Sequence, residues 1–347
     1  VIVFAIPGDL DAPTGGYAYA RRLVGELGRL GLRVEVMALG EGFPRPPEAV
    51  RRAAVDRIAA RTPAVAVVVD GLALGVLPEL AAAAPLRYMG LVHHPLALET
   101  GLDEKDAARL ATSERVALAG AARVITTSAT TARLLAADYG VPAARLVVAR
   151  PGTDPAPPAR GSDAAPALLA VGSLVPRKGH DVLLAAFGAV RDLAGHLTIV
   201  GDAGRDEACA AALAAQVDAL GLRDQVTLAG AVDAAVLARL YDGADLFVLA
   251  SRHEGYGMAY AEAIARGLPV VGTTAGAVPE VVGDAGLLVP PDDAAALAQA
   301  LRRVLGSAPE RTALAARARA AAARLPRWEE AGRAVAALFD SVPVGVP

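Results

Sequence analysis

Six short runs of branched apolar residues, at 1–6, 34–39, 65–69, 88–92, 124–127 and 146–149, alternate with longer Ala-, Leu- and Arg-rich segments of helical period. Six more follow at 167–171, 197–200, 226–228, 246–249, 270–272 and 287–289. Runs this short and this continuously apolar suit strands covered on both faces, with the intervening helices as the cover. The rhythm points to two doubly wound α/β domains built on parallel sheets. A chain of 347 residues has the length for two, at about 150 residues each. Between the two series lies a Pro-, Ala- and Gly-rich stretch without apolar periodicity. The expected organisation is a first domain over 1–154, a linker over 155–166 and a second domain over 167–325. Pro326 interrupts the helical sequence before it, and a last helix in 326–347 is long enough to return to the first domain.

Charge narrows the partners. Lys and Arg number 34, Asp and Glu 37, for a net charge of −3, so the basic surface that a nucleic-acid backbone demands is not implied. Cys209 is the one cysteine, which leaves no internal disulfide and no multi-cysteine zinc site and is compatible with a reducing compartment. The most apolar span, 65–86, carries Asp70 and is broken by Pro78 and Pro85, so it reads as strand, loop and helix rather than a lipid-crossing helix. The sequence opens directly on a strand-like run, and no basic segment of a leader precedes it.

Ligands of open α/β sheets bind outside the carboxyl ends of the strands, so chemistry is sought there. The richest such stretch is 251–271, SRHEGYGMAYAEAIARGLPVV. A strand runs into a loop, Glu254-Gly255-Tyr256-Gly257, then a helix over 258–265 that Gly267-Leu268-Pro269 ends. Amides around Tyr256–Ala259 open that helix and favour an anion such as a diphosphate. A carboxylate accepts two hydrogen bonds from vicinal hydroxyls, so Glu262 suits a ribose and Glu254 a sugar. A second strand end, Gly172-Ser173 to Arg177-Lys178-Gly179, offers two adjacent cations that could neutralise a diphosphate leaving group. Near the amino terminus Gly15-Gly16 opens a helix and permits close backbone approach, while the G-x-G-x-x-G of a nicotinamide dinucleotide site is missing. His93 and His94 follow another strand, and their spacing lacks the partner of a zinc pair. Asp70 ends the third strand, where contact with an acceptor competes with capping of the next helix. Asp9-Leu10-Asp11 spells D-x-D, but two open sheets do not fit a single-domain metal-dependent enzyme, so no catalytic metal is expected.

Across nearly the whole chain these stretches resemble the retaining glycosyltransferases of family 4. The likeness rests on 251–271 with Gly276-Ala277-Val278-Pro279-Glu280 after it, and on Gly15-Gly16, His93, Pro151-Gly152, Gly172, Lys178-Gly179 and Gly201-Asp202. The resemblance implies a GT-B fold, two Rossmann-like domains facing a central cleft, with donor in the second domain and acceptor in the first. It implies that Glu262 binds the nucleotide ribose, Glu254 lies against the donor sugar, Lys178 grips phosphate and His93 hydrogen-bonds the sugar. Many relatives carry Arg where this chain has Ser173, and Arg177 is the expected replacement for that guanidinium.

The reading is a metal-independent transferase of hexosyltransferase type, moving a sugar from a nucleotide-diphosphate donor, a substrate rather than a cofactor, to a hydroxyl acceptor by front-face displacement. The catalytic expectation falls on His93, Lys178 and Glu254. Donor contacts are expected from Gly15, Gly16, Ser173, Arg177, Gly255, Tyr256, Gly257, Met258 and Glu262, and acceptor contacts from Asp70 and His94. The acceptor is a small molecule, a glycan or a lipid-linked molecule. Domain closure would exclude water. The alternatives are a nucleotide-sugar epimerase of the same architecture and an inactive nucleotide-sugar-binding module. A cytoplasmic location is expected. Arg21, Arg22, Arg29, Arg51, Arg52, Arg57 and Arg61 on first-domain helices raise peripheral contact with the inner membrane face, against a plain solvated surface, which interspersed acids favour.

Overall fold

The strands form wherever branched apolar residues run unbroken, and the helices form between them. The computed structural model describes residues 1–12, 14–61, 65–82, 88–162, 165–193 and 195–340. They fall into two units, Val1–Gly152 with the segment from Pro326, and Thr153–Leu325.

In the first unit the order is β1 (Ile2–Ile6), α1 (Gly15–Arg29), β2 (Val34–Ala38), α2 (Glu48–Arg61), β3 (Ala66–Asp70), α3 (Gly71–Leu74), α4 (Glu79–Ala82), β4 (Tyr88–Val92), α5 (Glu104–Gly120), β5 (Arg123–Thr126), α6 (Ala129–Asp138) and β6 (Leu146–Val148). All strands are parallel, in the order β2-β1-β3-β4-β5-β6. β1 and β4 are buried at every position, as strands covered on both faces must be. The apolar span at 65–86 is β3 followed by two helices of four residues each, with Pro85 and Leu86 outside the described residues. No described helix is long and apolar enough to cross a membrane.

The second unit repeats the plan with β7 (Ala167–Val171), α7 (His180–Gly188), β8 (His196–Val200), α8 (Glu207–Ala219), β9 (Val226–Gly230), α9 (Ala234–Asp242), β10 (Leu246–Val248), α10 (Met258–Ala265), β11 (Val270–Thr273), α11 (Val278–Val282), β12 (Gly286–Val289), α12 (Ala294–Leu305) and α13 (Ala308–Ala322). Its parallel sheet runs β12-β11-β10-β7-β8-β9. Strand order therefore reverses between β7 and β10, and in the first unit between β1 and β3. Such a switch point leaves a crevice at the carboxyl ends, where the two departing loops diverge. The doubly wound class read from the sequence is the fold found. Helices start where polar side chains accept the first free amides, as Ser128 does from Thr131, Asp233 from Val236 and Asp293 from Ala296. The core of this unit includes Leu168, Ala170, Phe187, Ile199 and Val248, each at most 2% exposed. Burying a side chain such as Phe187 contributes roughly 2–3 kcal/mol.

The stretch expected as a linker is bonded into the second unit. Ala159 N–H donates to Arg266 O, and the amides of Arg160 and Gly161 donate to Asp242 O, all at 2.9 Å. Ser162 Oγ donates to Asp245 at 2.6 Å. Residues 163 and 164 lie outside the described residues. Prolines and glycines removed any periodic signal here, while Asp242 and Asp245 supply the acceptors. The final helix, α14 (Trp328–Asp340), belongs to the first unit; 341–347 lie outside the described residues. Trp328 packs on Tyr19 at 5.8 Å between centroids, with Arg22 over its ring at 5.0 Å. Gly152 and Gly332 permit this approach: a Cβ would stand 2.1 Å from Trp328 N at the first and 2.8 Å from Glu26 Cβ at the second.

Candidate functional site

The reversal between β7 and β10 brings two loops side by side in the second unit. Directly after β7 comes Gly172, where a Cβ would meet the Lys178 stem at 3.1 Å, so the lysine folds back over the strand end. Gly201 lies so close behind that a Cβ there would be 1.9 Å from Gly172 O. Ser173 is partly exposed at this strand end. Pro176–Lys178 then makes one 3₁₀ turn, closed by Gly179 at φ 64°, and a Cβ on Gly179 would be 2.0 Å from Ala250 O. Only glycine permits both that backbone angle and that contact. His180, buried at the head of α7, lies 3.0 Å from Gly172 O through Nε2. Its burial pulls it down to about 4, so it is neutral at pH 7 and donates that bond.

From the β10 side, Glu254 is 6% exposed and sits among cations. Lys178 Nζ donates to Glu254 Oε1 at 2.6 Å, Ser251 Oγ donates to the same oxygen at 2.7 Å, and Arg177 Nη1 is 3.6 Å from Oε2. Arg177 also donates to His253 O at 2.8 Å. Burial opposes the charge on Glu254, but Lys178 and Arg177 with the hydrogen bonds outweigh it and lower the carboxyl to about 2. Gly276 supports the loop from behind. Its φ is 56°, and a Cβ would stand 2.2 Å from Glu254 O, which accepts from Ala277 N–H at 2.9 Å. Gly255 and Tyr256 are buried, and Gly257 turns into α10 at φ 104°. No described side chain caps α10, so Met258 and Ala259 open a helix whose first turn carries the positive end of the dipole.

Glu262 lies one turn further on. Tyr241 Oη is 3.0 Å from its Oε2, and Arg266 Nη1 donates to its backbone carbonyl at 2.9 Å. Burial raises the Glu262 carboxyl, against the Tyr241 hydroxyl and Arg266, which lower it.

The first unit holds the other group of expected residues at its own strand ends. Thr14 caps α1, accepting from Tyr17 N–H at 3.2 Å, and Gly15 opens the helix. A Cβ on Gly16 would stand 3.4 Å from His93 Nε2. His93 stands edge-on to Tyr19 at 5.4 Å, and Tyr19 donates to Ala149 O at 2.8 Å. His93 Nε2 is 3.8 Å from Asp70 Oδ2. Asp70, 5% exposed, caps α3 by accepting from Leu72 N–H at 2.9 Å. Burial pushes its carboxyl up to about 6, against the Leu72 amide. His94 turns to Glu99, at 3.1 Å. Gly15, Gly16, Asp70 and His93 are thus gathered at the β1, β3 and β4 ends, while His94 is held by an acid. Among the described residues no group of three or more His, Cys, Asp and Glu could hold a metal ion. Of the seven arginines read as a basic face, Arg51 meets Glu48 and Glu79, Arg52 meets Glu48, and Arg61 meets Glu35.

Sequence reasoning missed the residues that hold these groups still. Arg252 donates to both oxygens of Asp181, at 2.9 and 2.7 Å, and through Nε to Asp292 at 2.6 Å. Its amide donates to Arg177 O at 2.8 Å, which pins the cationic turn to the Glu254 loop. Tyr241 was missed as well, and Gly276, named only as part of the family likeness, was given no role behind Glu254. Arg252 and Tyr241 carried no signal, because their partners are remote in sequence.

A family model described as "Glycosyl transferases group 1" matches residues 165–307, and one described as "Glycosyltransferase Family 4" matches residues 13–157. A D-inositol 3-phosphate glycosyltransferase of Segniliparus rotundus is 37% identical over 158 residues, 44% of this chain and 35% of that one. The chain spans 35–48% of the length of this and two further curated relatives of the same name. Among solved structures, the sucrose-phosphate synthase of Thermosynechococcus elongatus superposes with a TM-score of 0.81 over 98% of both chains, at 23% identity. Anabaena HepE, in complex with UDP-glucose, gives 0.76 at 18% identity, over 98% of this chain and 100% of that one.

Proposed function

We propose, for a chain that belongs to the family 4 glycosyltransferases, that it transfers a sugar from a nucleotide-diphosphate donor to a hydroxyl acceptor with retention at the anomeric carbon. The observation that carries this reading is the convergence of Lys178 and Arg177 on Glu254 at the β7–β10 switch point, beside the uncapped start of α10. Two cations and a helix dipole at one strand end suit a diphosphate, and charge that grows on a leaving group is stabilised best by such fixed partners. The UDP-glucose complex of HepE supports a donor of that class.

In this mechanism the bond between the anomeric carbon and the β-phosphate oxygen breaks, and its electron pair leaves with the diphosphate. The acceptor oxygen bonds the same face of the anomeric carbon, and its proton passes to the departing phosphate. Lys178 and Arg177 neutralise the charge that develops; Arg177 takes the part left open by Ser173. Glu254 accepts from the sugar hydroxyls and Glu262 from the ribose, since both are carboxylates at one strand end. His93 is assigned to the sugar and Asp70 to the acceptor side. The two cations do the work a metal would otherwise do, so the reaction is metal-independent.

The test is transfer itself. UDP-, GDP- and ADP-sugars are incubated with the protein and a panel of hydroxyl acceptors, and products are read by NMR for the anomeric configuration. Expected is a glycoside of retained configuration, formed equally with EDTA present. A changed sugar with no acceptor used would mark an epimerase, and activity lost to EDTA and restored by manganese would overturn the metal-free mechanism.

A further inference from the structure

Tyr241 is 0% exposed, on α9, twenty-one positions before the carboxylate it touches. Its ring is stacked with Phe247 at 6.2 Å, and the Arg266 guanidinium covers it at 4.4 Å. The ring therefore has little freedom to turn. Its hydroxyl has one proton and two acceptors in range, Glu262 Oε2 at 3.0 Å and Ala259 O at 3.3 Å. The ionised carboxylate is the nearer and the stronger acceptor. Among the described residues the Tyr241 phenol is the one hydrogen-bond donor to the Glu262 carboxylate, while Arg266 acts on its charge, so the phenol is what fixes the plane of that carboxylate. Glu262 is also only partly buried.

We infer that Tyr241 is a positioning residue for donor recognition, holding Oε2 of Glu262 so that Oε1 is presented to the ribose hydroxyls. This rests on the assignment of Glu262 to the ribose. A hydrogen bond to a charged group is worth about tenfold or more in an equilibrium constant, so its loss is readable. The charged and titratable groups that face Glu262 are Tyr241 from α9, Arg266 from the end of its own helix and Asp154 from the start of this unit.

The experiment compares the wild-type chain with Tyr241→Phe, Glu262→Gln and the double variant. Affinity for each of UDP, GDP and ADP is measured by titration calorimetry between pH 5 and 8, and melting curves show that each variant is folded. Phenylalanine keeps the ring and its stacking. Tyr241→Phe is expected to weaken the preferred nucleotide about tenfold. Its acid limb should also move to higher pH, because a carboxylate that loses a donor binds its proton more tightly. In the Glu262→Gln background the same change is expected to do much less. Equal affinity and an unmoved acid limb for Tyr241→Phe, with Glu262→Gln impaired, overturn this inference and leave the ribose assignment standing. An equal loss in both backgrounds marks a packing role and overturns it too. Glu262→Gln binding like the wild type, or no nucleotide binding at all, overturns the ribose assignment and this inference with it. Should Tyr241→Phe not fold, 3-fluorotyrosine placed at position 241 carries the test, because it keeps the ring and donates more strongly: an acid limb moved to lower pH supports the Tyr241 bond, and an unmoved limb overturns the inference.

Discussion

Replacing Glu254 by Gln removes one negative charge from between two cations while keeping the shape of the side chain. The folded carboxyl lies at about 2 against an ordinary 4.5. A depressed acid adds stability that is complete above 4.5 and drains away as pH falls towards 2. At 1.36 kcal/mol per unit the difference is worth about 3 kcal/mol at pH 7 and about 1 kcal/mol at pH 3. Wild type and Glu254→Gln should therefore differ in stability by about 2 kcal/mol more at pH 7 than at pH 3. Two units need not unfold together, so the transition of the second must be read by itself. Urea melts followed by far-UV circular dichroism see both units, whereas fluorescence of Trp328, the one tryptophan, marks only the first. A gap that stays constant from pH 7 to pH 3 would refute the reasoning, because it would mean that Lys178 and Arg177 do not hold the charge.

Asp70 has the opposite sign. Its folded value of about 6 exceeds an ordinary 3.8, so its stability is whole below 3.8 and is lost as pH rises through 6. Asparagine caps equally well, and Asp70→Asn should be stabilised relative to wild type by about 3 kcal/mol at pH 8 and by under about 1 kcal/mol at pH 4, read by Trp328 fluorescence in urea. Gly276→Ala places a methyl group on Glu254 O at a left-handed angle; backbone strain alone costs about 1–3 kcal/mol, and a melt of the second unit should fall accordingly. Arg252→Lys cannot make the paired bonds to Asp181, so donor KM should rise about tenfold while overall melting barely moves.

The twelve strands were legible because each is a short, mostly apolar run, and the central ones, such as β1 and β4, are covered on both faces. Their ends were less so. The run read as 226–228 continues to Gly230, since pairing with β8 across an irregularity at Ile199–Val200 carries the strand past its apolar residues. Met258–Ala265 was read at its true limits, because Gly257 and Gly267 bracket it. Glu254, Glu262, Arg177 and Lys178 were legible from strand-end position. What the sequence hides is who holds them. Arg252 finds Asp181 and Asp292 at distances of 71 and 40 residues along the chain, and Tyr241 finds Glu262 only once α9 packs beside α10.

Helix α14 completes the first unit with residues that a ribosome adds only after the whole second unit. Tyr19 and Gly152 must wait for Trp328 until all of 153–325 has been synthesised, so the first of the two units is completed only after the second. At about 5–20 residues per second that interval lasts on the order of 10–30 seconds, during which the surface around Tyr19 stands uncovered and exposed to chaperones or self-association. A nascent chain stopped at Leu325 should hold a finished second unit and an unfinished first one.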